Sequence, residues 1–297
     1  MEVSHPDRVL FPDDGITKGD VVDYYRRVAP VMVPHLRDRP LMLERYREGI
    51  DQGGFYQKEA SEYFPASIRR VEVEKAGGVV HHPIVDSEDG LVYLANQGCL
   101  TFHCWTARAD HPHQPDRVVF DLDPPPVDGA FATVRATALR LRHLFHRLGL
   151  TAFVQTTGSR GLHVVAPIVA GPDHDEVLAF AGALARVLAA SDPTRLTTEF
   201  RKAKRGGRVY LDIARNGYAQ TVVAPYSVRA RPGAPVATPL DWDEVRTTRL
   251  RPDRWTIGNV FRRLGAKADP WRGMAHHARP LPEAWARLDP LTATRAS

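Results

Sequence analysis

Residues 118–125 read VVFDLDPP. Val118, Val119, Phe120 and Leu122 make an apolar strand, and Pro124, Pro125 and Pro126 end it. Proline supplies no N–H to a ladder and fixes its own backbone, so the strand stops there. Such a run belongs inside a sheet, yet it carries Asp121 and Asp123 near its end. Residues two apart on a strand point the same way, so both carboxylates face one side and Leu122 the other. Two carboxylates this close repel unless a cation sits between them or one stays protonated. Paired carboxylate oxygens suit Mg²⁺ or Mn²⁺. Asp212, in RVYLDIARNG, follows a second apolar run. Three carboxylates on adjacent strands are what a two-metal phosphoryl-transfer site requires. Two other readings share the local pattern. D-x-D at a strand end also serves as a turn or helix cap. Aspartate-nucleophile phosphatases place it after an apolar strand too, but usually continue with Thr or Val where this chain has Pro124.

The surrounding pattern predicts how that strand is housed. ITKGDVVDYYRRVAPVMVPHL reads as a helix, with Thr17 as its N-cap and Asp20 in its first turn. SIRRVEVE and GGVVHHPIV read as strands joined by a glycine turn, and CLTFHCW as another strand. After the D-x-D strand, Phe131, Val134, Ala138, Leu141, Phe145 and Leu148 recur at spacings of three and four, with Gly149 at the C-cap position. TAFVQTT and LHVVAPIV are strands flanking GSRG, and Val177, Phe180, Leu184 and Leu188 mark a further helix. RVYLDIA and AQTVVAPYS are expected to pair with each other. The middle of the chain is therefore strand–helix–strand–strand–helix–strand–strand. This is an α/β (α+β) layer built partly from hairpins, not a purely parallel doubly wound sheet. A soft boundary falls at 105–117, and LDPLTATRAS at the end is expected to be loose.

TTGSRGLHVVAP sets Gly158, Ser159, Arg160 and Gly161 in the turn and His163 on the following strand. Small residues with exposed backbone N–H groups form an anion cradle, to which Arg160 adds charge and His163 a donor. A plain hairpin turn has the same local appearance. FRKAKRGGRVYLD then delivers Arg201, Lys202, Lys204, Arg205 and Arg208 next to Asp212, and APYSVRARPG adds Arg229 and Arg231. Basic runs of this kind either stay solvated or meet a polyanion.

Bulk properties agree with such a partner without requiring one. Net charge is +5 over 297 residues, enough chain for one large domain or two intimate ones. No apolar run approaches a membrane span, and MEVSHPDRVLFPDDG lacks the pattern of a signal peptide. Cys99 and Cys104 are the only cysteines, which argues for a reducing compartment. They lie with His103, His111 and His113, but the spacing matches no common zinc site, and the two thiols fall on opposite strand faces. Buried thiols and a separately functional His103 are expected.

Taken together, the D-x-D strand, TGSRGLH and KAKRGGRVYLDIARNG…APYSVRARPG resemble the primase–polymerase domain of bacterial ligase D, in the archaeo-eukaryotic primase superfamily. The resemblance runs from DRVLFPDDGITKGDVVDYY to WDEV and DPW. It implies a primase-like catalytic core with a mixed or antiparallel central sheet and helices, plus an N-terminal α/β subregion. It implies one domain over 1–297, softly divided into a DNA-end and template part (1–110), a catalytic core (111–285) and a loose tail (286–297). No ligase or nuclease segment is attached, so a stand-alone relative is expected.

The roles it implies are these. Asp121, Asp123 and Asp212 bind two Mn²⁺ or Mg²⁺ ions. Ser159, Arg160, Gly161 and His163 form the triphosphate loop, with Arg160 where Lys is more familiar. His103, Lys202, Arg205 and Arg229 lie near the nucleotide or template. Phe55 and Tyr56 stack on template bases, and Arg8 and Lys18 hold a downstream 5′-phosphate. From sequence alone, Arg8 and Lys18 would be ordinary surface charges, and Phe55 and Tyr56 one buried and one exposed strand aromatic. The implied activity is template-dependent primer extension and gap filling with NTPs or dNTPs, favouring ribonucleotides, in non-homologous end joining. The implied partners are DNA with primer–template, gapped or 5′-phosphate ends, and other end-joining proteins. The implied setting is the bacterial cytoplasm, at the nucleoid and away from membranes. The competing reading is a catalytically weak module that binds and bridges DNA ends.

Overall fold

The computed structural model describes residues 2–293. Backbone contacts divide the chain into two units: Met1–Pro112 with Thr221–Thr238 and Asp253–Asp269, and His113–Gln220 with Pro239–Pro252 and Pro270–Ser297. The units are therefore not contiguous in sequence, unlike the expected 1–110 and 111–285 parts. Among the described residues no helix is long and apolar enough to cross a membrane.

The first elements in chain order are β1 (Val9–Phe11), β2 (Ile16–Thr17), α1 (Lys18–Leu36), β3 (Leu41–Arg45) and β4 (Phe55–Gln57). They are followed by β5 (Arg69–Lys75), β6 (Gly78–Ile84), α2 (Glu88–Asn96) and β7 (Cys99–Trp105). The α1 N-terminus is closed by a capping box, in which Thr17 accepts from the Asp20 N–H and the Asp20 side chain accepts from the Thr17 N–H. Its inward stripe of Val21, Tyr25, Val28, Met32 and Leu36 is fully buried, as a helical period demands. β5 and β6 form the expected hairpin, and Cys99 and Cys104 on β7 are both buried thiols.

The second unit begins with β8 (Arg117–Asp123), α3 (Ala130–Arg147), β9 (Phe153–Thr156), β10 (Leu162–Pro167) and α4 (His174–Ala190). β11 (Leu196–Thr197), β12 (Val209–Asp212) and β14 (Pro239–Leu240) follow in this unit, then α5 (Trp242–Arg246) and α7 (Leu281–Ala293), whereas β13 (Thr221–Val223) and α6 (Val260–Ala266) belong to the first unit. The sheet of this unit is six-stranded in the order β11-β12-β8-β10-β9-β14. Only β11 and β12 run parallel; the other neighbours are antiparallel. β8 lies inside the sheet, with Val118, Val119, Phe120 and Leu122 fully buried. Phe120 meets Phe145 of α3 edge-on at 5.7 Å, so α3 covers the face opposite Asp121 and Asp123.

Two expectations need correction. RVYLDIA and AQTVVAPYS do not pair with each other: β12 pairs with β8, whereas β13 joins the first unit's sheet, ordered β13-β7-β3-β4. The 3-10 turn Ala214–Asn216 ends β12 and redirects the chain. Nor is the segment from 286 loose where it is described, since α7 runs to Ala293 with Leu288 buried. The expected tail beyond Ala293 lies outside the described residues.

Candidate active site

The register of the second unit's sheet assembles the site. Asp212 on β12 is the Cα partner of Asp121 on β8, and Asp121 is the partner of His163 on β10. His163 is in turn the partner of Gln155 on β9. Directly paired residues share a face, so Asp212, Asp121, His163 and Gln155 form one row across four strands. Asp123 stands two residues along, opposite Tyr210. Ligand atoms of Asp121, Asp123 and Asp212 all lie within 4.8 Å of one another.

The electrostatics are those of crowded carboxylates. Asp123 is pushed up to about 6 by burial first, then by Asp121 and Asp212, against the pull of Arg160 and Arg205. Asp212 is also raised, chiefly by burial, although the Ala214 N–H donates to its Oδ1 at 2.9 Å and Arg215 Nε lies 3.7 Å from Oδ2. Three clustered carboxylates, with the proton affinity of Asp123 and Asp212 raised, favour a neutralising cation, and hard oxygen donors fit Mg²⁺ or Mn²⁺. The donor set therefore fits the expected metal.

Asn216 steadies β8, the strand that carries Asp121 and Asp123. Its Oδ1 accepts from the Val119 N–H at 2.8 Å and its Nδ2 donates to the Val119 carbonyl at 2.7 Å. The amide thus extends the ladder past the end of β12, where a bare strand edge would be buried unsatisfied.

The loop between β9 and β10 is organised by Thr157. Its hydroxyl donates to the Gly161 carbonyl at 3.2 Å and accepts from the N–H groups of Ser159 at 3.3 Å and Gly161 at 3.2 Å. Gly161 is dictated by close approach, because a Cβ there would stand 2.2 Å from the Leu122 carbonyl oxygen. The loop is thereby pressed onto β8 between the two aspartates. Ser159 is half-buried and Arg160 exposed. His163 Nε2 lies 3.5 Å from Asp121 Oδ1.

In the basic segment, Arg205 packs its guanidinium 3.7 Å from the Tyr210 ring centroid and donates to the carbonyls of Glu199 and Phe200. It shapes its own loop while placing positive charge by Asp123. Lys202 is exposed on the 3-10 turn Lys202–Lys204.

The remaining predicted residues belong to the first unit. His103 Nε2 lies 3.4 Å from Glu44 Oε2, and Tyr46 donates to Glu44 Oε1 at 2.8 Å. Burial raises the Glu44 carboxyl, but hydrogen bonds from His103 and Tyr46 and the charges of His103 and Arg229 outweigh it and hold it at about 2. Tyr56 meets His103 edge-on at 6.2 Å. Phe55 and Tyr56 are both exposed, 41% and 63%, so the expected buried-and-exposed pair does not hold. The guanidinium groups of Arg45 and Arg47 lie over Phe55 at 5.5 and 5.2 Å.

Arg8 pairs with Glu48 at 2.6 Å and donates to the Arg47 carbonyl at 2.8 Å. Lys18 is not a surface charge. It is only 8% exposed, and its Nζ donates to the Ser4 carbonyl at 2.6 Å and Ser4 Oγ at 2.7 Å. Burial and the neighbouring charge of Arg8 lower its pKa.

Gln155, Thr157, Tyr210, Arg215, Asn216 and Glu44 were not singled out from sequence. Gln155 carries a readable signal, a polar residue inside an apolar strand next to the Gly-rich loop. The others become visible only through strand pairing.

The family model of the LigD primase-polymerase domain matches residues 17–271. The chain is 34% identical over 254 residues to the multifunctional non-homologous end joining protein LigD of Mycolicibacterium smegmatis, covering 84% of this chain and 33% of that protein. It is 28% identical to the bifunctional non-homologous end joining protein LigD of Bacillus subtilis, covering 91% of this chain and 43% of that protein. It thus spans about a third to under half of these relatives' length. Among solved structures, the polymerase domain of Mycobacterium tuberculosis ligase D in complex with DNA superposes with a TM-score of 0.87 at 30% identity, covering 94% of this chain and 99% of that one.

Proposed function

Because this chain belongs to the family of LigD primase-polymerase domains, we propose that it is a template-dependent nucleotidyltransferase acting at DNA ends in non-homologous end joining. The observation that carries this reading is the carboxylate row, with Asp121, Asp123 and Asp212 clustered within 4.8 Å beside His163. In the proposed reaction the primer 3′-oxygen bonds to the α-phosphorus of a nucleoside triphosphate. The bond to the β-phosphate oxygen breaks, pyrophosphate leaves and the hydroxyl proton passes to solvent.

Asp121, Asp123 and Asp212 would hold Mn²⁺ or Mg²⁺, which when bound supplies an activated hydroxyl and charge neutralisation on the triphosphate. The protein's own groups do the rest. Asp123 must give up its proton for all three carboxylates to act as anionic ligands. In the Ser159–Gly161 loop the N–H groups of Ser159 and Gly161 are held by Thr157, so Ser159 offers its hydroxyl, Arg160 and Arg205 offer charge, and His163 offers a ring N–H to phosphate oxygen. In the first unit, Phe55 and Tyr56 present exposed faces for template bases. His103 and Arg229 serve the nucleotide, with ribonucleotides preferred. Arg8 and Lys18 select a downstream 5′-phosphate: a buried ammonium beside a second cation is costly alone and is relieved by a dianion. A module that only bridged DNA ends would gain nothing from three crowded, partly buried carboxylates.

Primer extension on a labelled gapped duplex, with and without Mn²⁺, tests the proposal. Wild type should add nucleotides only with the metal, and Asp121→Ala and Asp123→Ala should lose extension while keeping DNA affinity. More than a few per cent of wild-type extension in either variant would sink the metal assignment.

A further inference from the structure

We propose that Phe200 is a base-stacking residue for single-stranded nucleic acid, set in a fixed cationic loop of the second unit. Which strand it takes, primer or template, rests on the nucleotidyltransferase reading; the stacking contact itself does not.

Phe200 is 73% exposed, the most exposed large apolar side chain among the described residues. A lone apolar side chain in water is ordinary. This one stands on a loop, between β11 and β12, whose backbone is held from several sides. Thr197 Oγ1 accepts from the Glu199 N–H at 3.0 Å, and Glu199 Oε1 accepts from the Arg201 N–H at 3.0 Å. Arg205 donates to the carbonyls of Glu199 and Phe200 at 3.2 and 3.0 Å. Arg208 in turn donates to the Arg205 carbonyl at 2.7 Å and the Lys204 carbonyl at 3.0 Å. Phe200 is thus bracketed by pinned residues, and the loop has little slack with which to fold the ring down. A ring presented on an ordered backbone loses little conformational freedom when a flat partner lands on it.

The surrounding charges identify the partner. The 198–208 segment carries Arg201, Lys202, Lys204, Arg205 and Arg208 against one carboxylate, Glu199, which is turned to the backbone. Arg201, Lys202 and Lys204 are exposed, and none of them makes an ion pair among the described residues. An apolar π-face amid uncompensated cations matches a base with its flanking phosphates. Bases inside a duplex cover both faces with their neighbours, so the base that stacks here must be unpaired or terminal. The loop is also tied to the carboxylate row. Arg205, which holds the Phe200 carbonyl, lies over the ring of Tyr210, and Tyr210 is the Cα partner of Asp123.

Anisotropy titrations in EDTA at low salt, where no catalysis enters, test the contact. The probes are a fluorescent oligothymidylate and an abasic oligonucleotide of the same length. Phe200→Ala removes the ring, Phe200→Leu keeps apolar bulk without a π-face, and Phe200→Trp enlarges the face. Oligothymidylate affinity should fall roughly tenfold in the Ala and Leu variants, the worth of one stacked base, and should hold in the Trp variant. Abasic affinity and melting temperature should be the same in all of these proteins. Wild-type affinity for oligothymidylate in Phe200→Ala or Phe200→Leu overturns the proposal. So does an equal loss on both oligonucleotides, or a wild type that binds the two alike, which would leave the ring to a protein partner. Phe200-dependent binding by a protein that extends no primer would leave the contact standing and refute the nucleotidyltransferase reading. Full extension with Phe200-independent binding would do the reverse.

Discussion

Asp123 shows at the scale of one residue what the site costs the fold. Its carboxyl sits at about 6 because burial and two neighbouring carboxylates oppose its ionisation. An acid raised in the folded state favours folding while protonated. The penalty is absent below about pH 4, develops as pH rises through about 6, and is complete above that. Asp123→Asn should therefore stabilise the metal-free protein at pH 8 by about 2 kcal/mol and make no difference near pH 4. Saturating Mn²⁺ should reverse the order, because a ligand that binds only the folded wild type stabilises it. Thermal melts at both pH values, in EDTA and in Mn²⁺, check this. An Asn variant no more stable than wild type at pH 8 in EDTA would refute the electrostatic account. His163→Ala belongs to the same scale: it should raise the triphosphate KM or lower turnover, since a charge-assisted hydrogen bond is lost, and unchanged steady-state kinetics would return GSRG to a simple turn.

At the scale of elements, the β9–β10 loop, the proposed phosphate loop, is packed against β8, the strand that carries Asp121 and Asp123. Gly161 leaves no room for a side chain, its added Cβ falling 2.2 Å from the Leu122 carbonyl. Gly161→Ala should push the loop from β8, costing about 1–3 kcal/mol of stability and most of the extension activity. Wild-type activity in this variant would show that the loop moves freely against β8. The edge strand β4 makes the contrasting case. Phe55 and Tyr56 are exposed, so changing each to Ala should leave the melting temperature nearly unchanged. Template affinity should fall by roughly 1–3 kcal/mol per lost stack. Anisotropy titrations with gapped DNA alongside thermal melts separate the two effects, and unaltered affinity would exclude a stacking role.

For the whole molecule, net charge +5 and the Arg8–Lys18 pair predict how DNA ends are chosen. Lys18 is held by Ser4 and crowded by Arg8, so a compact dianion should be preferred there over a neutral hydroxyl. Gaps with a downstream 5′-phosphate should bind more tightly than identical gaps ending in 5′-hydroxyl, and the preference should weaken with salt. Arg8→Ala with Lys18→Ala should erase the difference while sparing extension on a simple recessed end. Binding of matched gapped duplexes at several salt concentrations measures it. Equal affinity for the two ends in wild type would make this chain a general primer extender.

Read alone, the sequence determined whatever rests on local periodicity and spacing. Asp121 and Asp123 share a face because strands alternate, α1 begins at Thr17 because its capping box is written in adjacent residues, and a loop lies between two strands at GSRG because small residues interrupt apolar runs there. The resemblance added roles to these positions. Only the tertiary structure decided which strands lie side by side. It set Asp212 against Asp121, moved β13 away from β12 into the other sheet, buried Lys18, and placed Gln155 behind His163 and Glu44 beside His103. The physical reason is that alternation tells which way a side chain points but not what it meets. Strand partners are chosen by packing across long sequence separations, and no local pattern records that choice.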